Sequence, residues 1–276
     1  MTAPVARPSA LRSTFQLVRG LGPRRERRLW EEGITDWSLL PAAPGHLLPA
    51  RVRGPLLAAA EALEAALAAG DLEAIARRVP NREHWRLYAA FAERAVYLDI
   101  ETEFEQGITA VGLLDRDGPR ILLPWQDLAS FPDLVPPGCL LVTFNGASFD
   151  VPVLRRFFPA WRPPCAHIDL RPLLARLGER GGLKAIENRL GLGRPDHLRA
   201  LDGQRAATLF RWAGRGDRAA LRLFAEYNLY DTVNLRTLTA LAYNRAVEAL
   251  PSGAPRLSVS WRGDVLYDVS KALLAL

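Results

Sequence analysis

Ala95-Val96-Tyr97-Leu98-Asp99-Ile100-Glu101-Thr102 is an apolar run that closes on two acids one residue apart. The run Val96 to Ile100 is short enough for a buried strand. Alternation along a strand puts the Asp99 and Glu101 side chains on one face. Two carboxylates at the end of an apolar run are costly unless they are solvated or neutralised by cations. A strand end reaching water would explain them too, so Asp-x-Glu alone does not decide a function.

Two further strands are expected near 107–114 and 119–124, with Asp115-Arg116-Asp117-Gly118 as the turn between them. Cys139 to Phe144 reads as a strand leading into an Asn145-Gly146 turn and a helix near 148–158. Another strand near 165–168 precedes a helix at about 169–178, and helices are expected at 183–190, 202–213 and 217–243. Three strands followed by alternating helix and strand make a mixed sheet flanked by helices, an α/β fold.

On the N-terminal side, residues 11–40 read as helix–turn–helix: Leu11 to Val18, the turn Gly20-Leu21-Gly22-Pro23, then Arg24 to Glu32. Residues 41–55 look like a Pro/Gly-rich linker, and helical pattern returns at 55–69 and 71–92 around Pro80. At the other end Ser258-Val259-Ser260-Trp261 reads as a strand and Val269 to Leu276 as a short helix. The expected organisation is a helical hairpin segment and linker at 1–54, connecting helices at 55–94, the α/β domain at 95–245 and a tail at 246–276.

The 276 residues suffice for an α/β core, and 49% hydrophobic with 24% charged residues excludes extensive disorder. Net charge is +6 with a pI near 9.8, which suits a polyanion partner. Residues 1–30 hold seven arginines and one acid, Glu26, so the excess charge lies there. Cys139 and Cys165 have no metal or redox spacing. No run approaches about 18 uncharged apolar residues, so a cytoplasmic protein with no membrane partner is expected.

Further acids join Asp99 and Glu101. Asp150 falls in the first turn of the helix after Phe144-Asn145-Gly146-Ala147-Ser148-Phe149. A plain reading makes Ser148 the N-cap and Asp150 an acid favoured by the helix dipole. Tyr227 and Asp231 lie four apart on a helix and share a face. Phosphodiester hydrolysis needs an activated water and stabilisation of charge on the attacking and leaving oxygens. Two divalent ions about 3.5–4 Å apart supply both, and carboxylates hold hard ions of that kind.

Tyr97-Leu98-Asp99-Ile100-Glu101-Thr102 resembles the first motif of the DEDD exonuclease superfamily, and Phe144-Asn145-Gly146-Ala147-Ser148-Phe149-Asp150 resembles the second. Tyr227-Asn228-Leu229-Tyr230-Asp231 is similar to the third motif of its tyrosine-type branch; the histidine-type branch needs His where Glu226 stands. Leu183-Lys184-Ala185-Ile186-Glu187-Asn188-Arg189-Leu190-Gly191 through Arg194, with Tyr227 through Leu235, narrows the resemblance to the YprB-like RNase H-like family. So does the N-terminal Phe15 to Gly22 stretch with Glu26, Leu29-Trp30 and Gly33-Ile34.

The resemblance implies a metal-dependent 3′–5′ exonuclease using two divalent cations, Mg²⁺ or Mn²⁺, on a nucleic acid, DNA or RNA, at a single-stranded end. Asp99 would bridge both ions, Glu101 and Asp231 would complete the site for the ion that activates water, and Asp150 would hold the second. Tyr227 would position the water, since a phenol near pKa ~10 stays protonated at neutral pH. Asn145, Phe149 and Lys184 are candidate substrate contacts, although Lys184 reads equally as a surface lysine. Arg24, Arg25 and Arg28, beside the Gly20-Leu21-Gly22 turn, are candidate phosphate contacts or a solvated face. Asp169 reads as a helix N-cap and the substitute should Asp150 prove misplaced; His167, Trp30 and Trp37 read as structural. Competing readings are an inactive binding or scaffold module on the same fold and an enzyme acting on small phosphoesters.

Overall fold

The computed structural model describes residues 9–103, 107–259, 261, 265–274 and 276. Among them, five strands form one sheet: β1 (Ala95–Glu103), β2 (Gly107–Asp115), β3 (Gly118–Leu122), β4 (Leu140–Thr143) and β5 (His167–Asp169). Their order is β3-β2-β1-β4-β5. The first three are antiparallel neighbours, whereas β4 runs parallel to β1 and β5 parallel to β4. The expected mixed sheet is present, and β1 is its central strand.

The helices are α1 (Pro23–Glu31), α2 (Ala50–Ala68), α3 (Leu72–Ala76), α4 (Tyr88–Phe91), α5 (Phe131–Leu134), α6 (Asp150–Phe157), α7 (Leu170–Arg176), α8 (Leu183–Leu190), α9 (Asp196–Arg199), α10 (Gly203–Ala213), α11 (Arg218–Glu248) and α12 (Ser270–Leu273). None is long and apolar enough to cross a membrane.

The chain divides into two compact units, residues up to Ala92 with Tyr243–Ser258, and Glu93–Ala242 with Val259–Leu276. In the second unit β1 alternates as the pattern requires. Val96, Leu98 and Ile100 pack into a core with Leu141, Phe131, Leu154 and Trp161. The opposite face carries Tyr97, Asp99 and Glu101, and Asn228 of α11 hydrogen-bonds Asp99 there. β4 is buried along its whole length, as a strand with parallel neighbours on both sides must be.

Two expectations about local structure fail. Residues 11–18 are turns, not a helix, because distant side chains take the backbone groups a helix would pair. Trp30 donates to Ser13 O at 2.9 Å and Trp37 to Thr14 O at 2.7 Å. Arg86 donates to Ala10 O, and Phe15 N donates to Glu26 Oε2. Residues 258, 259 and 261 are not strand, and Ser260 lies outside the described residues. Just before them, Asn244 takes both backbone groups of Leu257, accepting from its N at 2.7 Å and donating to its O at 2.9 Å. The segment 41–55, read as a linker, contains the end of the 3₁₀ turn Trp37–Ala42 and the start of α2.

Candidate active site

The strand-borne acids sit where β1 loses its regularity. Asp99 pairs with Gly112 of β2 and Glu101 with Ala110, and the register slips between Glu101 and Thr102. Both acids are half-buried, open enough for a ligand. α11 supplies the third carboxylate, Asp231, which is buried. One oxygen from each of Asp99, Glu101 and Asp231 lies within 4.8 Å of the others. Three carboxylates at this spacing fit a hard divalent cation, which prefers oxygen ligands.

α11 reaches this position because β2 offers no side chain opposite Asp99. A Cβ on Gly112 would lie 2.2 Å from Thr232 Oγ1 and 2.5 Å from Asn228 Oδ1. Asn228 and Thr232 share one helix face, and Thr232 Oγ1 donates to Asn228 O at 2.9 Å. Asn228 in turn donates from Nδ2 to Asp99 Oδ2 at 3.0 Å.

Asp150 is buried at the first position of α6 and accepts from Ile100 N at 3.1 Å. It does not belong to the trio, although its charge is felt there. The N-cap of α6 is Phe149, with no side-chain cap, so Ser148 does not play the capping role. Asp169 does cap α7, accepting from Arg171 N, and it also receives Asn145 N and Ala147 N. Asp169 thereby fixes the turn in which Asn145 adopts φ +68°, just ahead of Asp150. His167 is tied to Thr143 Oγ1 at 2.8 Å.

The acids raise one another's pKa. Asp99 is held well above the ordinary carboxylate range by burial and by the charges of Asp231, Asp150 and Glu101. Glu101 is pushed up to about 8 by burial and Asp231, with Lys184 opposing. Burial pushes Asp150 up to about 7 against its backbone donors. A cluster that holds protons for want of positive charge is what a cation would relieve.

Tyr227 lies one turn before Asp231. Lys184 Nζ donates to its hydroxyl at 2.5 Å and to Leu201 O at 2.8 Å, and stands 3.9 Å from the ring centre. Burial and the neighbouring carboxylates raise the phenol's pKa, so the hydroxyl stays protonated and has a hydrogen to donate.

A sequence profile of the RNase H superfamily matches residues 96–243, more than half of the chain and every residue of this site. The chain belongs to the RNase H superfamily. No curated protein matches it. Membership points to a nuclease, and the trio of carboxylates in this RNase H-like domain suits the divalent metal such nucleases use.

The other sequence candidates lie as follows. Phe149 is exposed beside Asp150, and Asn145 Oδ1 accepts from Arg171 Nη1 at 2.9 Å. Arg24, Arg25 and Arg28 are exposed on α1, outside the RNase H-like match. Arg25 donates to Gly20 O at 2.7 Å, and with Arg28 and His46 it lines a cleft of about 110 Å³. Sequence reasoning missed two residues that touch the site, Asn228 and Arg194, and a third, Glu187, that holds Arg194. All three stand inside the segments that carried the family resemblance. An Asn beside the motif tyrosine and an acid seven residues before an arginine were the available signals.

Proposed function

We propose that this protein is a metal-dependent nuclease of the tyrosine-type DEDD kind, a 3′–5′ exonuclease acting in the cytoplasm on single-stranded ends of DNA or RNA. The observation that carries the reading is the convergence of strand-borne Asp99 and Glu101 with helix-borne Asp231 inside an RNase H-like sheet. Asp99, Glu101, Asp231 and Asp150 are the residues that would hold Mg²⁺ or Mn²⁺. When bound, such ions supply a nucleophile at neutral pH and stabilise charge on the attacking and leaving oxygens.

The chain's own groups do the rest. Tyr227 Oη accepts from Lys184 and keeps its hydrogen, so it orients a water by donating to it. Lys184 is held against the tyrosine with its charge directed at the site. Asn145 and Phe149, on the turn leading to Asp150, contact the nucleotide being released; the exposed Phe149 ring offers a base a stacking surface. The exonuclease domain spans 95–245, and the 1–54 segment brings Arg24, Arg25 and Arg28 to backbone phosphates.

The test is hydrolysis of 5′-labelled single-stranded DNA and RNA oligonucleotides in Mg²⁺ or Mn²⁺ by wild type, Asp99→Ala and EDTA-treated protein. A shortening ladder from wild type alone is expected. Binding without any cleavage would leave a nucleic-acid-binding module on the same fold.

A further inference from the structure

Glu187 and Arg194 form a second buried charge system against the carboxylates. Glu187 is 1% and Arg194 6% exposed. Neither charge is tolerated alone at that depth. α8 carries Glu187 and ends at Gly191, whose φ of +73° turns the chain so that Arg194 returns alongside the helix. Arg194 grips Glu187 with two donors, Nε at 2.6 Å and Nη2 at 2.8 Å. Asn234 of α11 donates to Glu187 Oε1 at 3.1 Å and fixes the anchor from the other side. A guanidinium–carboxylate fork of this kind is complete by itself.

This one extends further. The same Nη2 stands 2.6 Å from Asp231 Oδ1. Three of the four site acids thus have one oxygen set against a protein nitrogen. Asn228 Nδ2 donates to Asp99 Oδ2 and Ile100 N to Asp150 Oδ1, whereas Arg194 meets Asp231 Oδ1 as an ion pair outside hydrogen-bond geometry. A long, rigid helix sets where the Asp231 backbone lies but not which way its carboxylate turns. Arg194 supplies that orientation, and Glu187 keeps Arg194 from following its charge into the centre of the trio.

We propose that Arg194, locked by Glu187, is a positioning residue that orients Asp231 for capture of the divalent cation. The proposal rests on the metal-dependent reading above. Both residues lie outside the four acids and the tyrosine that would contact ion or water.

The experiment is Mn²⁺ titration of the full-length protein, following free Mn²⁺ by electron paramagnetic resonance, with melting temperature recorded in parallel. The proteins are wild type, Asp99→Ala, Arg194→Met, Arg194→Lys, Glu187→Gln and the double variant Glu187→Met/Arg194→Met. Arg194→Met and Glu187→Gln are expected to weaken Mn²⁺ binding about tenfold or more. Arg194→Lys, which keeps the charge but loses the fork, is expected to fall between them and wild type. Replacing the whole pair by apolar groups removes the buried-charge penalty of the single variants. The double variant, in which Asp231 alone has lost its cation, is therefore expected to melt closer to wild type than Arg194→Met and still bind Mn²⁺ weakly, which separates orientation from stability even if Arg194→Met does not fold. Raising Mn²⁺ is expected to restore cleavage in Arg194→Met. If wild type binds Mn²⁺ and Asp99→Ala does not, while the double variant binds as tightly as wild type or tighter, Arg194 is a counter-charge or brace and the positioning role is overturned. If wild type binds no Mn²⁺, the metal reading fails and the proposal with it.

Discussion

Glu26 of α1 and the acids of β1 are carboxylates that the fold treats in opposite ways. Glu26, 2% exposed, accepts from Thr14 Oγ1 at 2.9 Å, Phe15 N at 2.6 Å and Gln16 Nε2 at 2.8 Å, and Arg86 stands 3.5 Å away. Arg86 spends its remaining donors on Glu83, Ala10 O and Ser13 Oγ. Every charge in that network has a partner of the opposite sign and hydrogen bonds besides. Asp99, by contrast, receives a side-chain donor from Asn228 alone among the described residues and has three acids for neighbours, with Arg194 only partly offsetting them. Buried charges that only hold a fold together are compensated in full. A cluster left short of positive charge marks the place where something from outside completes it.

That difference is open to breakage, and the largest effect is on activity. Asp99→Asn is expected to abolish cleavage to background, while melting temperature in EDTA stays level or rises because one repelling charge is gone. A fall in melting temperature would mean that Asp99, like Glu26, serves the fold. Glu26→Ala removes the hub of the compensated network and leaves Arg86 short of a partner. A loss of about 3–5 kcal/mol in urea denaturation is expected; a loss under about 1 kcal/mol would place Glu26 with surface acids.

The smallest effect is the pH dependence of stability without metal. Folded Glu101 holds its proton to about pH 8 and folded Asp150 to about pH 7, and Asp99 is raised in the same sense. The unfolded chain releases these protons near the ordinary carboxylate values, about 4. Between those limits the folded state binds more protons, so stability falls as pH rises. Melting in EDTA should therefore shift downward from pH 5 to pH 8.5. Mn²⁺ binds the ionised acids and should raise the melting temperature more at pH 8 than at pH 6. A flat profile in EDTA would show that the acids are already compensated.

The parts of the site that repeat along one element were legible in the sequence. Strand alternation paired Asp99 with Glu101, and helical spacing paired Tyr227 with Asp231, because each rule acts within an element. α8 was legible at both ends, since Gly182 precedes it and Gly191 turns left-handed after it. Asp150 was assigned to the first turn of α6, but its contact with Ile100 N joins residues fifty apart. Arg194 stayed hidden for the same reason: nothing local to 194 says that its guanidinium meets Asp231. Residues 11–18 carry a helical pattern that lost to competition, because three side chains from elsewhere claim their backbone groups.

Gly112 has a consequence for what this chain can become. Opposite Asp99, it leaves room for no more than a hydrogen before Thr232 and Asn228. It works as a gauge block whose thickness is the absence of one methyl group. Any residue larger than glycine at 112 forces Thr232 and Asn228 to give way, and where α11 moves with them Asp231 goes too, while Asp99 and Glu101 stay behind on their strand. The site would then come apart along the seam between strand and helix, with every ligand still encoded and none of them altered.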